Sequence, residues 1–251
     1  MPNMNFKPFY LLSMLLLLSA FNLPEKDKLT IWLIGDSTIS IKERKNYPET
    51  GWGMPFVNFF DSTVVVDNRA KNGRSTRTFL SEGLWKPILE NLKEGDYVLI
   101  QFGHNDEVST KASYTTEAEF VTNLKLYIKD SRAKGAIPVL LTPAARRSFD
   151  DSGKVLQTHE VYAALVRKTA AEEKTPLIDL DKDSQALLQQ FGVVGSKYLF
   201  NHLAPGEHPN YPDGKEDNTH FNEYGARKIA ELVLEGIRKQ HLELENRIIK
   251  K

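Results

Sequence analysis

Five short runs of β-branched and aromatic residues alternate with longer segments of helical periodicity, and this alternation limits the possible fold more than any other feature. A strand, a helix and a further strand form the unit of parallel sheets that carry helices on both faces. The sequence therefore predicts an α/β protein: a three-layer α/β/α fold with a five-stranded parallel sheet of flavodoxin-like order. The predicted strands begin within residues 29–40 and continue at residues 64–67, 97–102, 137–141 and 176–180. The predicted helices lie at residues 52–60, 116–133, 159–174, 181–191 and 222–240.

Two further segments complete the predicted layout of the chain. Residues 192–216 are dense in Gly, Pro, Asn and His, which is typical of a long loop. The charged tail beyond Leu242 is expected to fray. With 251 residues and 41% hydrophobic content, the remaining chain is suited to a single domain with one adequate core.

The N-terminal segment differs from the rest of the chain. A lysine precedes an apolar, leucine-rich stretch, and small residues follow at Ser19 and Ala20. This order predicts a Sec signal peptide over residues 1–22, a catalytic domain over residues 23–251, and a periplasmic or secreted protein. A retained membrane anchor is the alternative, because Leu18 is larger than the residue usual at that position of a cleavage site.

Composition excludes several classes of function. Basic and acidic residues balance at 33 each, which removes the electrostatic footprint of a nucleic-acid-binding protein. The chain has no cysteine, so disulfides, thiolate metal sites and a cysteine nucleophile are ruled out. We expect no nucleic-acid partner, no membrane association after signal cleavage, and a monomer.

The first predicted strand ends at Gly35 and is followed by Asp36, Ser37 and Thr38. Ligands of open α/β sheets bind just outside the carboxyl ends of the strands, so this polar tip is expected to face a cleft. Ser37 is therefore the candidate nucleophile. The alternative is that the tip only turns the chain and caps the next segment.

A serine hydroxyl needs a base, and His220 is the histidine best placed to serve it. It follows Asp217 by three residues, a spacing that allows the carboxylate to orient the imidazole as in hydrolytic triads. The alternative is a turn carboxylate next to a loop histidine. A metal cluster of His202, His208 and Asp213 with Asp217 fits no regular ligand signature, and we expect neither a metal nor a cofactor.

Four stretches in order resemble the four sequence blocks of the SGNH (GDSL) hydrolase superfamily, and most closely its rhamnogalacturonan acetylesterase-like branch. They are GDST at 35–38, NRAKNGRSTRTF at 68–79, QFGHND at 101–106 and DNTHFNEYGA at 217–226. The resemblance implies a serine esterase with a triad of Ser37, Asp217 and His220. It also implies an oxyanion hole of the backbone N–H groups of Ser37 and Gly73 and the side-chain amide of Asn105.

The resemblance further implies a substrate, an acetylated polysaccharide of the rhamnogalacturonan or pectin type. Four arginines could present guanidinium groups to a uronate carboxylate, although they could equally be solvated loop residues. One rival interpretation is a lipase, thioesterase or arylesterase of the same superfamily. Another is a carbohydrate-binding protein that has lost turnover. The four arginines are Arg74, Arg77, Arg146 and Arg147.

Overall fold

The computed structural model describes residues 28–249. The predicted signal peptide, residues 1–22, lies outside this range, and its prediction stays open. Within residues 28–249, no helix is both long enough and apolar enough to span a bilayer.

A five-stranded sheet forms the centre of the molecule, with the order β2-β1-β3-β4-β5 and every neighbouring pair parallel. The predicted sheet and its flavodoxin-like order are confirmed. The carboxyl ends of all five strands therefore meet at one edge, where the polar segments that follow them are brought together. The strands are β1 Leu29–Gly35, β2 Val64–Asn68, β3 Tyr97–Gln101, β4 Ile137–Leu141 and β5 Leu177–Ile178.

Helices cover both faces of this sheet, because alternate side chains of the buried strands point in opposite directions. On β1, Ile31 and Leu33 pack into one apolar cluster, whereas Trp32 and Ile34 pack into the other. The helices are α1 Gly53–Phe56, α2 Thr76–Ser81, α3 Lys86–Asn91, α4 Glu117–Ala133, α5 Glu160–Glu172, α6 Leu180–Gly195 and α7 Glu223–Lys239. Short 3₁₀ helices lie at Arg44–Asn46, Val57–Phe59, Ser196–Leu199 and Glu243–Arg247.

The prediction of a long loop over residues 192–216 is wrong. Helix α6 continues to Gly195, and two strands outside the main sheet, β6 Phe200–Leu203 and β7 Lys215–Phe221, pair antiparallel. Sequence reasoning missed β7 because strand prediction relies on apolar residues, and Phe221 is the only apolar residue in this strand.

The prediction of a frayed tail beyond Leu242 is also wrong. Leu244 and Ile248 are buried in the same apolar cluster as Phe60, and Phe60 bridges to Ile248. These two apolar side chains, with backbone hydrogen bonds from Asp61 to Arg247 and from Ile249 to Phe59, hold the segment although the residues between them are polar or charged.

Candidate active site

The turn that carries Ser37 is held from within by Asp36, whose side chain is buried. Its Oδ1 atom accepts hydrogen bonds from the backbone N–H of Thr38 at 2.9 Å and from the Thr38 hydroxyl at 2.8 Å. The Asp36 carbonyl accepts from the N–H of Ile39 and of Ser40. Burial raises the pKa of Asp36, and its bonds from Thr38 oppose that shift. Asp36 therefore shapes the turn and leaves the Ser37 side chain free to react.

A second chain of buried hydrogen bonds fixes the same turn to the sheet. The Trp52 indole donates to Gln101 Oε1 at 2.8 Å, and Gln101 Nε2 donates to Thr38 Oγ1 at 2.7 Å. Gln101 is the last residue of β3, the strand next to β1. The nucleophile turn is thus tied to a neighbouring strand by side chains that water does not reach.

Asp217 and His220 lie on β7, not in the polar loop that their sequence predicts. Residues three apart on a regular strand point to opposite faces, so they cannot meet without an irregularity. The pairing of β6 with β7 contains one, because Phe200 pairs with Phe221 whereas His202 pairs with Glu216. This β-bulge, residues 217–220, turns both side chains toward Ser37.

The bulge closes on the Asp217 carboxylate. Asp217 Oδ1 accepts the backbone N–H groups of Thr219 at 2.8 Å and His220 at 2.9 Å, while Oδ2 lies 2.8 Å from His220 Nδ1. Burial alone would raise the pKa of Asp217, but the hydrogen bonds and charge of His220, with the Thr219 N–H, lower it well below its ordinary value. The carboxylate therefore stays ionised at neutral pH.

The three side chains form one continuous hydrogen-bonded line. Ser37 Oγ lies 2.9 Å from His220 Nε2, on the far side of the ring from Asp217. An ionised carboxylate can only accept, so Nδ1 carries the ring proton and Nε2 is left to accept the proton of Ser37. This arrangement is able to generate a serine nucleophile and to protonate a leaving group.

The two backbone N–H groups of the predicted oxyanion hole have no acceptor in the described part of the chain. Among residues 28–249, neither the N–H of Ser37 nor that of Gly73 donates to another group of the protein. Gly73 lies on an exposed turn with φ +75°, a conformation that favours glycine, and a Cβ there would meet no atom within 4 Å. Both groups are thus available to an incoming oxyanion.

Asn105 lies beside these donors. Its Nδ2 atom donates to the carbonyl of Arg74, the residue that follows Gly73, at 3.0 Å. The turn that carries Asn105 is anchored by the next residue, Asp106. Its carboxylate accepts hydrogen bonds from the N–H and hydroxyl of Thr76 and from the N–H of Gly103. Burial raises the pKa of Asp106 to about 7, against the lowering effect of Thr76. Asn105 keeps a second N–H for a ligand because an amide nitrogen carries two.

Replacing Asn105 with alanine is expected to lower kcat by on the order of 10²- to 10³-fold, because one donor to the transition state is lost. KM should change little, since the developing oxyanion exists only in the transition state. Steady-state kinetics on p-nitrophenyl acetate would measure both constants. A change confined to KM would instead make Asn105 a contact to bound substrate.

Arg146 and Arg147 support the bulge at residues 217–220 from outside. The Arg146 guanidinium donates to Thr219 Oγ1 at 2.8 Å and to the His104 carbonyl and Glu107 at 3.2 Å. The Arg147 backbone N–H donates to the Asn218 carbonyl at 2.8 Å. Its guanidinium donates to the Asn218 side chain, the Ser196 hydroxyl and the Val193 carbonyl.

The other two arginines also have protein partners. Two N–H groups of the Arg74 guanidinium donate to the same carboxylate oxygen of Glu82. Arg77 donates to the carbonyls of Ala112 and Tyr114. Recognition of a uronate by any of the four arginines stays a prediction, and each would have to share its guanidinium with the groups it already binds.

His104, the histidine of the third block, is not placed to act as the base. It is buried edge-on against His159, with ring centroids 4.3 Å apart, and no hydrogen bond joins it to Ser37 or Asp217 among residues 28–249. Burial and the nearby charges of His159 and Arg146 lower its pKa well below its ordinary value. His104 is therefore a weakly basic, buried imidazole that packs behind the site.

The metal alternative receives no support from the positions of its members. His202 lies 2.9 Å from Asn218, and His208 accepts from the N–H of Asn210. Nowhere in residues 28–249 do three acidic or histidine side chains converge as metal ligands would.

Sequence reasoning missed Lys42, Asn72 and Gln101. Lys42 belongs to a charged, polar stretch that predicts a solvated loop, yet its side chain is completely buried behind Ser37. Nothing in the local sequence distinguishes it from the exposed Lys45 three residues later. Only the tertiary structure reveals its position.

Comparison with known proteins relates most of the chain to one family. Residues 33–228 match the model described as the GDSL-like lipase/acylhydrolase family. A rhamnogalacturonan acetylesterase, RhgT, of Bacillus subtilis strain 168 is 42% identical over 226 residues, which cover 89% of this chain and 96% of that protein. A probable rhamnogalacturonan acetylesterase, YesY, of the same organism is 36% identical over 222 residues, 88% of this chain and 97% of that protein.

A solved structure is similar as well. The crystal structure of the YxiM protein of Bacillus subtilis superposes with a TM-score of 0.74 and 31% identity, covering 86% of this chain. The chain spans 58% of that solved protein.

Proposed function

Because this chain belongs to the GDSL-like lipase/acylhydrolase family, we propose that it is a serine esterase that removes acetyl groups from a plant-type polysaccharide, acetylated rhamnogalacturonan. The observation that carries the proposal is the hydrogen-bonded line from Ser37 through His220 to Asp217, together with the N–H groups of Ser37 and Gly73, which lack acceptors among residues 28–249. Such a line activates a hydroxyl, and such donors stabilise an oxyanion.

The reaction proceeds in two halves. Ser37 Oγ attacks the acetyl carbonyl while His220 Nε2 takes the serine proton, and the negative oxygen of the tetrahedral intermediate lies against the N–H groups of Ser37 and Gly73 and the amide of Asn105. The imidazolium then protonates the departing sugar oxygen, which leaves an acetyl-serine. Water, deprotonated by His220, attacks this ester, and acetate departs as Ser37 recovers its proton.

The substrate class is supported by the relatives and by the surface beside β7. Both curated relatives are named as rhamnogalacturonan acetylesterases, one of them as probable. A cleft of about 310 Å³ adjoins the catalytic strand and is lined by Lys197, Tyr198 and Lys215, among others. Tyr198 is 71% exposed, so its ring is free to stack on a sugar, and the two lysines share the cleft with one carboxylate, that of Glu216.

Two rival functions make different predictions. A lipase, thioesterase or arylesterase would prefer longer acyl chains or aromatic esters to acetylated sugars. A silent carbohydrate-binding protein would bind the polysaccharide and hydrolyse no ester at all.

Acetate release from a panel of polymers tests the proposal. We expect the rate on acetylated rhamnogalacturonan to exceed that on acetylated xylan, because two relatives at 42% and 36% identity are named for the former. The p-nitrophenyl esters of acetate and octanoate serve as controls for the lipase alternative. Preference for xylan or for octanoate would contradict the substrate class, and inactivity on every ester would contradict the esterase.

We also propose that the protein is exported through a Sec signal over residues 1–22 and acts as a monomer in the periplasm or outside the cell. A lysine followed by an apolar stretch supports the first part. A polymeric substrate outside the cytoplasm is consistent with export.

A further inference from the structure

We propose that Lys42 is a positioning residue that fixes both backbone donors of the oxyanion hole, by binding the Ser37 carbonyl and the Asn72 side chain with one ammonium group. The inference rests on the proposed esterase function and deepens it. It concerns how the loop of Ser37 and the loop of Gly73, which are distant in sequence, are held at a fixed distance for the transition state.

The burial of Lys42 requires an explanation. None of its side-chain surface is exposed, and lysine is rarely buried in this way unless it is paired. Burial lowers the pKa of Lys42, and the Glu49 carboxylate, 2.7 Å from Nζ, opposes that shift. The charge is thereby compensated, which leaves the remaining ammonium protons to bind neutral oxygens.

Those protons point to the two loops of the proposed oxyanion hole. Lys42 Nζ donates to the Ser37 carbonyl at 2.5 Å and to Asn72 Oδ1 at 2.9 Å. Asn72 Oδ1 also accepts from the Ser40 hydroxyl. One oxygen of the second loop is therefore held by two donors of the first.

The position of Asn72 in the chain makes this contact important. The N–H of Gly73 belongs to the peptide bond between Asn72 and Gly73, so the Asn72 side chain is attached directly to the peptide that supplies the donor. The loop itself is exposed from Lys71 to Gly73, and a Cβ at Gly73 would touch nothing. The Arg74 guanidinium binds the carbonyl of this same peptide at 2.8 Å, and the Asn72 side chain is the contact that ties it to the loop of Ser37.

The same ammonium restrains the first donor. The Ser37 carbonyl is fixed by Lys42, and the Thr38 N–H on the other side of that peptide is fixed by Asp36. The peptide bond between Ser37 and Thr38 is thus held at its carbonyl and at its N–H. A donor that is already aligned stabilises a developing charge without reorganisation.

Asn72→Ala is the first test, because this residue lies on the surface and its removal leaves the Lys42–Glu49 pair intact. We expect kcat on p-nitrophenyl acetate to fall by about 10- to 100-fold, less than the loss of a whole donor. KM and the melting temperature should stay near their wild-type values. The matched control for a loss of charge is Lys45→Met, since Lys45 is exposed and pairs only with Glu43 in the structure, and it should retain full activity.

A double-mutant cycle with Lys42→Met tests whether the two residues act through one another. If they do, the loss in the double variant should be clearly smaller than the sum of the two single losses, because Lys42→Met already leaves Asn72 Oδ1 with the Ser40 hydroxyl as its remaining donor in the first loop. Lys42→Met leaves the Glu49 carboxylate without its partner. The variant Lys42→Met/Glu49→Gln removes that charge as well, and so separates the loss of the anchor from the effect of an unpaired carboxylate. Rates of Ser37 phosphonylation by a p-nitrophenyl phosphonate should follow the same order, because that reaction also builds negative charge on an oxygen in the hole.

Three results would overturn the inference: wild-type kcat in Asn72→Ala, additive losses in the cycle, or an effect confined to KM. The experiments distinguish a wrong substrate from a wrong inference about Lys42. A wild-type enzyme that hydrolyses p-nitrophenyl acetate and not the polysaccharide contradicts the substrate and leaves the Lys42 test in force. If no ester is turned over, the phosphonylation rates of the variants still decide whether Lys42 and Asn72 position the donors.

Discussion

Replacing Ser37 with alanine is expected to lower kcat for ester hydrolysis by on the order of 10⁴-fold or more. No other hydroxyl lies within hydrogen-bonding distance of His220 Nε2 among residues 28–249, so nothing in the described part of the chain replaces the lost nucleophile. The fold should persist, because the turn is held by Asp36 and Thr38 and not by the serine hydroxyl. Steady-state kinetics on p-nitrophenyl acetate, with circular dichroism as a check on folding, would measure the effect.

Ser81→Ala is the matched control. Ser81 is an exposed residue whose hydroxyl bonds only within its own helix, so its variant should keep wild-type activity. Comparable turnover by Ser37→Ala and wild type would reduce Ser37 to a residue of the turn.

Replacing Asp217 with asparagine should lower the plateau of kcat/KM by on the order of 10³- to 10⁴-fold. The asparagine oxygen can still accept the N–H groups of Thr219 and His220, so the bulge should persist. Its amide nitrogen, however, would face the ring Nδ1 and favour the tautomer in which Nε2 carries the proton. A protonated Nε2 cannot accept from Ser37.

The same substitution should displace the acid limb of the pH profile. The pKa of Asp217 is lowered, so its carboxylate is ionised throughout the range in which histidine ordinarily titrates, around pH 6.5. A fixed negative charge beside the reacting groups favours protonation of the site, so removing it should move the acid limb of the profile to lower pH.

Profiles of kcat/KM for wild type, Asp217→Asn and the control Asp213→Asn would show the shift on an ester that does not itself ionise. Asp213 is exposed and its variant should match wild type. If the acid limb of Asp217→Asn stayed in place with an undiminished plateau, Asp217 would not be the orienting acid. Asp213 or Glu216 would then become the next candidate.

The main sheet could be predicted from the sequence because its strands are buried on both faces. Runs such as Ile31–Ile34 and Val98–Ile100 are apolar throughout, and strands of this kind are separated from helices by their length and their β-branched residues. The order of the strands followed from the regular alternation with helices. The site residues were found because motifs follow strands β1 and β3, whose ends coincide at one edge.

Strand β7, which carries Asp217 and His220, could not be predicted in the same way. The segment KEDNTHF of β7 is polar and half exposed, and what makes it a strand is its pairing with β6 and its place beside α7. The bulge that joins Asp217 to His220 depends on the register of that pairing. Register between two short strands is a tertiary property that neither sequence displays.

The roles of charged residues were equally hidden. Lys42 and Lys45 look alike in the sequence, yet one is completely buried and the other is 76% exposed at its side chain. Arg146 and Arg147 suggested recognition of an anion, whereas the structure places them against the bulge. A charge pattern indicates which residues are available, and only the fold decides which of them face solvent, ligand or backbone.

Covalent labelling of Ser37 tests the central claim most directly. The protein would be treated with a p-nitrophenyl phosphonate, digested, and analysed by peptide mass spectrometry, in parallel with His220→Ala. The account predicts one phosphonyl group per chain, located on Ser37, with loss of activity in proportion to labelling and much slower labelling of His220→Ala. Full inactivation with the label on another residue, or equal labelling rates with and without His220, would contradict it.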